Sequence, residues 1–265
     1  MEEERGSMED YLHVAVEAAK LGGGVLRQYY GKEKKIEYKG EIDVVTEADK
    51  QSEKLIVGLL SSRFPHHSIL AEEGGCMEKS SDYKWVVDPL DGTSNYAHDY
   101  PFFSVSIALE KQGEVIAGAV YHPILEELFI AEKGGGAYLN DRRVQVSKVT
   151  TLKKALLSTG FPYDIQKDPE EALGLFGNFI HASLGIRRDG SAALDLCYLA
   201  MGRFDGFWEL RLNPWDTAAG ILIVTEAGGR VSNFDGQAFS IYEDNILASN
   251  GLLHEGMMEV IKQGR

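Results

Sequence analysis

Residues 85–96, WVVDPLDGTSNY, constrain this chain more than any other stretch. The apolar run Trp85-Val86-Val87 has strand character and ends abruptly in two carboxylates, Asp88 and Asp91. Pro89 is expected to stop that strand, and Gly92, Thr93 and Ser94 to begin a helix whose free backbone N–H groups face an anion. Carboxylates beside an anion cradle would repel a phosphate unless divalent cations sat between them. The motif therefore implies Mg²⁺, or Mn²⁺ in its place, held by oxygen ligands and shared with a phosphate ester.

Two further segments supply more carboxylates. Residues 69–75, ILAEEGG, place Glu72 and Glu73 at the end of another apolar run, and residues 214–220, PWDTAAG, place Asp216 just before an expected helix, Thr217 to Ala227. That helix is apolar almost all round and stops at Gly228-Gly229, as a buried helix would. Taken alone, Asp216 reads equally well as a helix N-cap or as a ligand. Beside the other two segments, the ligand reading is preferred.

Together these segments resemble the inositol monophosphatase family, of the bacterial type. The resemblance rests on AEEGG (71–75), DPLDGTSNY (88–96) and WDTAAG (215–220), supported by IDVVTEADKQSEK (42–54) and RRDGSAALDLCYLAMGRFDGFWEL (187–210), and so covers essentially the whole chain. It implies metal ligation by Glu72, Asp88, the backbone carbonyl of Leu90, Asp91 and Asp216. Asp88 would bridge two ions, with Glu72 and Leu90 completing one and Asp91 and Asp216 the other. The implied mechanism is direct attack of water on phosphorus, with two ions roughly 3.5–4 Å apart. Thr93 and Glu72 would orient or deprotonate that water.

In this resemblance Lys39, Asp43, Thr46 and Asp49 match a family segment in which an acidic residue and a threonine lie near the attacking water, and a lysine-bearing loop supports a third, weaker metal. Asp49 opens an expected helix, so its plain role is a helix cap and its catalytic role indirect. Lys32, Lys34 and Lys35 read as a solvated hairpin. For the substrate, the implied contacts are Gly92, Thr93, Ser94 and Asp216 around the phosphate, and Gly190, Ser191, Ala192 and Glu209 around the ring hydroxyls. Asp195 reads as a structural partner in the same helix. Arg187 and Arg188 are open to two readings, a grip on a second phosphate or a subunit contact. Family likeness further implies a homodimer and sensitivity to lithium.

With 27 basic against 41 acidic residues among 265, the net charge is −14. That balance argues against direct nucleic-acid binding and against an anionic membrane surface, both of which need basic patches. Cys76 and Cys197 are too few and too unpatterned for a zinc site or a disulfide framework. The polar, acidic start lacks a signal-peptide pattern and no apolar run is long enough for a bilayer, so a cytoplasmic location is expected.

Helical periodicity runs from Met8 to Tyr30 and is interrupted at Gly22-Gly23-Gly24, which reads as close helix packing. Residues 102–147 read as antiparallel strands, and strand and helix alternate from Ala155 onward. This order gives an α+β half, residues 1–150, and an α/β half, residues 151–265, closely packed. The resemblance makes the fold a layered α-β-α-β-α sandwich with the active site between the halves. His66, His67, His98, His122, His181 and His254 are expected on the surface or behind the site. The leading function is Mg²⁺-dependent hydrolysis of inositol or sugar monophosphates. The alternatives are a dual inositol monophosphatase and fructose-1,6-bisphosphatase, and a protein-binding role in transcription complexes.

Overall fold

A computed structural model describes residues 8–32, 36–38, 44–162 and 164–263. The chain begins with α1 (Met8–Tyr29), a short antiparallel pair β1 (Ile36–Tyr38) and β2 (Val44–Thr46), and α2 (Glu47–Arg63). Then come β3 (Ser68–Ala71), β4 (Gly75–Met77), β5 (Tyr83–Asp91), the short α3 (Thr93–Ala97), β6 (Ser104–Lys111) and β7 (Glu114–His122). These are followed by β8 (Glu127–Glu132), β9 (Gly136–Leu139), β10 (Arg142–Arg143), β11 (Leu156–Thr159), α4 (Glu170–Ala182), β12 (Gly185–Arg187) and α5 (Ala192–Ala200). The chain closes with β13 (Gly206–Leu210), α6 (Pro214–Glu226), β14 (Arg230–Ser232), β15 (Asn245–Ser249) and α7 (His254–Lys262).

The larger sheet has eight strands in the order β10-β9-β8-β7-β6-β5-β3-β4, antiparallel except for the parallel pair β3 and β5. Side-chain alternation sends Trp85, Val87, Val105, Ile107 and Leu109 to one face, where α1 and α2 cover them. Val86, Ala108, Val120 and Phe129 face the other way, onto α5 and α6. The smaller sheet, in the order β12-β11-β13-β15-β14, is mixed, with β11 parallel to both its neighbours. Phe207 points inward to α5 and α6, whereas Trp208 and Leu210 point outward to α4 and α7. Phe179 of α4 stacks on Trp208 with ring centres 3.9 Å apart.

The order of layers is therefore α1/α2, sheet, α5/α6, sheet, α4/α7. The middle helices touch a sheet on each side, and every residue of α5 is buried, as an all-round apolar sequence requires. Glycine sets the closest approach: a Cβ on Gly118 of β7 would lie 3.1 Å from the Cα of Ala219 in α6. α1 runs unbroken through its glycine triplet, since a Cβ on Gly22 would meet Ile56 and Ser52 of α2, and one on Gly23 would meet Tyr121. Among the described residues no helix is long and apolar enough to cross a membrane.

The expected strand end at Pro89 is corrected, because β5 continues through it to Asp91. Both expected helix starts also move: α2 begins at Glu47 after the N-cap Thr46, and α6 begins at Pro214 after Asn213. Asp49 and Asp216 are thus the third residues of their helices rather than caps. Each turns its carboxylate back to a backbone N–H ahead of it, Asp49 to Thr46 at 2.9 Å and Asp216 to Asn213 at 2.7 Å.

Candidate metal and phosphate site

Asp88 and Asp91 are three residues apart, and in a regular strand their side chains would leave by opposite faces. The pairing with β6 prevents that. Asp88 stands opposite Ser106 and Asp91 opposite Ser104, so Pro89 and Leu90 together face the single residue Val105. This bulge adds one residue to β5 and brings both carboxylates to the same side. Proline fits there because a bulge leaves ladder donors unused. Carboxylate oxygens of Asp88, Asp91 and Asp216 then lie within 4.8 Å of one another, all three residues being buried.

Neighbouring groups fix each carboxylate. The Leu90 N–H donates to Asp88 at 2.9 Å. Asp91 accepts from the Ser191 hydroxyl, from the Ala193 N–H at 3.0 Å and from the Ser104 hydroxyl at 3.3 Å. The opening amides of α5 therefore include one spent on Asp91, where the sequence suggested amides turned to substrate hydroxyls. Glu72 follows β3, alongside β5, with its N–H on the Val87 carbonyl at 3.2 Å. Its carboxylate is near enough to act on Asp88 and Asp216 electrostatically.

The Thr93 hydroxyl lies 2.9 Å from the Leu90 carbonyl and 3.2 Å from Asp49 Oδ1, sharing its one hydrogen between them. The other Asp49 oxygen accepts from the hydroxyl and the N–H of Thr46. Thr46, Asp49, Thr93 and Leu90 thus form one connected hydrogen-bonded run.

Such crowding is electrostatically unfavourable for bare carboxylates. Burial, and then the charges of Glu72, Asp91 and Asp216, hold Asp88 well above the usual carboxylate range. Burial and then Asp91 do the same for Asp216. Asp91 rises to about 6 through burial, held back by the hydrogen bonds from Ser191, Ala193 and Ser104. A buried group of oxygen donors with excess negative charge fits a hard divalent cation, which would offset the repulsion among the carboxylates and favour their charged forms.

A cavity of about 270 Å³ opens beside this cluster. Asp91, Gly92, Thr93, Ser94 and Asp216 line it, as do Gly190, Ser191, Ala192, Glu209 and Arg188. Gly92 adopts φ +94°, and a Cβ there would lie 3.0 Å from the Phe102 carbonyl and 3.1 Å from that of Gly190, so the turn into α3 needs glycine. Asn95 ties this turn to the 190 segment, donating to Phe102 O and Asp189 O, both at 2.7 Å. Glu209 is buried against Gly160, where a Cβ would overlap its carboxylate. Burial lifts its carboxyl to about 8, with Arg188 pulling the other way.

Arg187 lies outside the cavity, exposed, with its guanidinium on the neighbouring Ile186 carbonyl at 3.2 Å. Lys39 and Asp43 lie outside the described residues. Sequence reasoning missed Phe161 and Arg211 and undervalued Asp195, all of which line the cavity. The one sequence signal for Arg211 was its place between Glu209 and the PWD segment. Three histidines also differ from expectation, since His67, His122 and His254 are buried. None of the three lines the cavity.

The sequence profile of the Inositol monophosphatase family matches residues 7–264. The chain belongs to the inositol monophosphatase family. It is accordingly an inositol-phosphate phosphatase. Among this family's members, it is 44% identical over 256 residues to an inositol-1-monophosphatase of Synechocystis, covering 96% of this chain and 89% of that protein. It is 42% identical over 259 residues to a fructose-1,6-bisphosphatase/inositol-1-monophosphatase of Aquifex aeolicus, covering 97% of each. The crystal structure of the extragenic suppressor protein suhB from Bartonella henselae superposes with a TM-score of 0.91 at 42% identity, covering 96% of this chain and 99% of that one. The inositol monophosphatase fold thus extends across the described residues, both sheets included.

Proposed function

We propose that the chain hydrolyses myo-inositol 1-phosphate and related sugar or polyol monophosphates to the alcohol and inorganic phosphate, with water as nucleophile and Mg²⁺ as cofactor. The observation that carries this reading is the convergence of Asp88, Asp91 and Asp216 within 4.8 Å at the edge of a polar cavity. Glu72, Asp88, the Leu90 carbonyl, Asp91 and Asp216 would hold two ions, with Mn²⁺ a substitute. Bound there, Mg²⁺ supplies an acidified water and neutralises charge on the phosphate and the leaving oxygen.

The remaining work falls to the chain's own groups. The Thr93 hydroxyl has its hydrogen committed to Leu90 and Asp49, so its oxygen is left to accept a hydrogen bond from the attacking water and aim it. Asp49 and Thr46 hold Thr93 in that orientation, and Glu72 is the acidic group available to receive the water's proton. Gly92, Thr93 and Ser94 would meet the phosphate oxygens. Glu209, with Gly190, Ser191 and Ala192, would meet the ring hydroxyls. Among the described residues no cysteine or histidine lines the cavity, so neither offers a covalent nucleophile there.

In this reading residues 1–150 contribute most of the metal ligands, and residues 151–265 the substrate contacts and Asp216. A homodimer, lithium sensitivity and a cytoplasmic setting complete it. The test is release of inorganic phosphate from myo-inositol 1-phosphate with Mg²⁺ and again with EDTA. Mg²⁺-dependent release supports the reading, and no release with Mg²⁺ refutes it.

A further inference from the structure

One buried carboxyl of the cavity, that of Asp195, is left unused by the hydrolysis. It stands in the first turn of α5, where an acidic side chain ordinarily caps free amides or offsets the helix charge. Here those amides are already taken, since the Ala193 N–H donates to Asp91 and the Leu194 N–H to Ser191. The Asp195 N–H itself is on the Ser191 carbonyl at 3.0 Å. The cavity's arginines are engaged elsewhere. Arg211 donates from Nε to Asp164 at 3.0 Å, on a backbone at φ +55°, and the Arg188 guanidinium lies 5.9 Å from the centre of the Phe161 ring.

Asp195 is 1% exposed, and its Oδ1 is sealed with no hydrogen-bond partner. An unpaired buried carboxyl is costly, and such groups are rare unless something completes the site. The residue nevertheless lines the cavity, and because its N–H is held in the helix and Oδ1 is closed off, the polar atom it presents there is Oδ2. Around the carboxyl stand Asp189 ahead of the helix, Glu209 of β13, Asp91 of β5, and Arg188. Burial and then the three acidic neighbours hold Asp195 well above the usual carboxylate range, with Arg188 pulling the other way. Another anion is disfavoured in such surroundings. Among the described residues the carboxylates close enough to share a cation are Asp88, Asp91 and Asp216, without Asp195. What fits is a neutral group with a hydrogen to donate, namely a hydroxyl.

We propose that Asp195 is a specificity-determining residue whose Oδ2 takes a hydrogen bond from a hydroxyl of the substrate's alcohol, next to the hydroxyl met by Glu209, so that the chain favours phosphate esters bearing that second hydroxyl. The proposal rests on the phosphatase reading, and it replaces the structural role that the sequence suggested for Asp195. Asp195 and Glu209 come from different elements, α5 and β13, and line the same cavity, so two hydroxyls of one ring can be held at once. The cost of the unpaired carboxyl falls on the free protein and is relieved when substrate binds, as is common where function opposes stability.

Asp195→Leu keeps the branched shape of the side chain and removes both oxygens. Replacing an unpaired buried polar group by an apolar one of like shape is neutral or stabilising, so Tm should match or exceed that of the wild type. With Mg²⁺, KM for myo-inositol 1-phosphate should rise about tenfold, as loss of a buried hydrogen bond would cause, while kcat stays within about twofold. The Ki of inorganic phosphate, which carries no alcohol, should not change. Asp195→Asn, which keeps an acceptor oxygen, should fall between the two proteins in KM. A lower Tm in Asp195→Leu overturns the proposal, because the carboxyl would then be supporting the fold. So does an unchanged KM, or an equal rise in the Ki of phosphate, which would place the effect at the cation cluster. If the wild type releases no phosphate, the phosphatase reading fails separately, and Asp195 is judged by calorimetric titration of myo-inositol 1-phosphate in Mg²⁺. Asp195→Leu must weaken that binding about tenfold, and equal binding, or none by either protein, overturns the proposal.

Discussion

Asp91 and Ser191 stand a hundred positions apart in the chain and share a hydrogen bond between the end of β5 and the start of α5. Ser191 does two things at once. Its hydroxyl oxygen accepts from the Leu194 N–H at 3.4 Å, capping the helix, while its hydrogen goes to Asp91. The central helix layer and the cation cluster are thereby set by the same side chain. Order in the cluster depends on how α5 is seated between the two sheets.

Asp91→Asn keeps the shape of the side chain and an oxygen to receive Ser191 and Ala193, so the fold should persist. Turnover of myo-inositol 1-phosphate should nonetheless fall by several orders of magnitude, because a neutral amide holds a divalent cation poorly. Steady-state kinetics with a circular-dichroism melt separates the two effects. Near-normal turnover would remove Asp91 from the ligand set.

Stability should depend jointly on pH and Mg²⁺. Asp91 is held up at about 6, and Asp88 and Asp216 well above their ordinary value of 3.8. A carboxyl with a raised folded-state pKa binds its proton more tightly when folded. Its contribution is therefore full below the unfolded pKa and is lost as pH rises through the folded one. His67, His122 and His254, each lowered to about 4 by burial, act oppositely over part of this range. Mg²⁺ competes with protons at the carboxylates alone, so the gain in Tm with Mg²⁺ over EDTA should be small near pH 5 and larger near pH 7.5. An equal gain at both values would place the cation elsewhere.

Much of the site was legible because its motifs are local. Asp88, Asp91, Glu72 and Asp216 stand at the ends of apolar runs, and the order of those runs gives the α+β and α/β halves, while the layered sandwich was implied by the family resemblance. What was not legible depends on partners distant in the chain. The bulge at Pro89 is a property of pairing with β6, so a proline that looked like a strand end became the means of turning Asp88 and Asp91 to one side. Asn213-Pro214 ahead of Asp216 did hold a readable signal, since proline favours the first turn of a helix. Which of Arg187 and Arg188 enters the cavity is decided by the exit from β12. Arg211 could not be assigned without its backbone conformation and Asp164, 47 residues away.

Gly118→Ala should connect packing to activity. The added methyl would lie 3.1 Å from the Cα of Ala219, and backbone in the middle layer has little room to retreat. Overpacking of this kind costs about 1–3 kcal/mol. Because α6 carries Asp216 in its first turn, kcat should fall along with the denaturation midpoint. A variant that loses stability at unchanged kcat would show that α6 shifts without moving Asp216.

Asp49→Asn tests the hydrogen-bonded run behind the attacking water. Asp49 joins the start of α2 to Thr93 with its two oxygens, one on Thr46 and the other facing the Thr93 hydroxyl at 3.2 Å. If the introduced amide keeps its oxygen on the Thr46 N–H, its NH₂ faces Thr93 and donates where the carboxylate accepted. The Thr93 oxygen then spends a lone pair on that NH₂ rather than on water. Misplacement of a reacting group costs about 10²-fold in rate, and kcat should fall by about that much while KM, set by the phosphate and its cations, changes little. Thr93→Ser should retain most of the activity and Thr93→Val should match the loss in Asp49→Asn. If Asp49→Asn raises KM at unchanged kcat, Asp49 supports substrate binding and the orienting role of Thr93 is wrong.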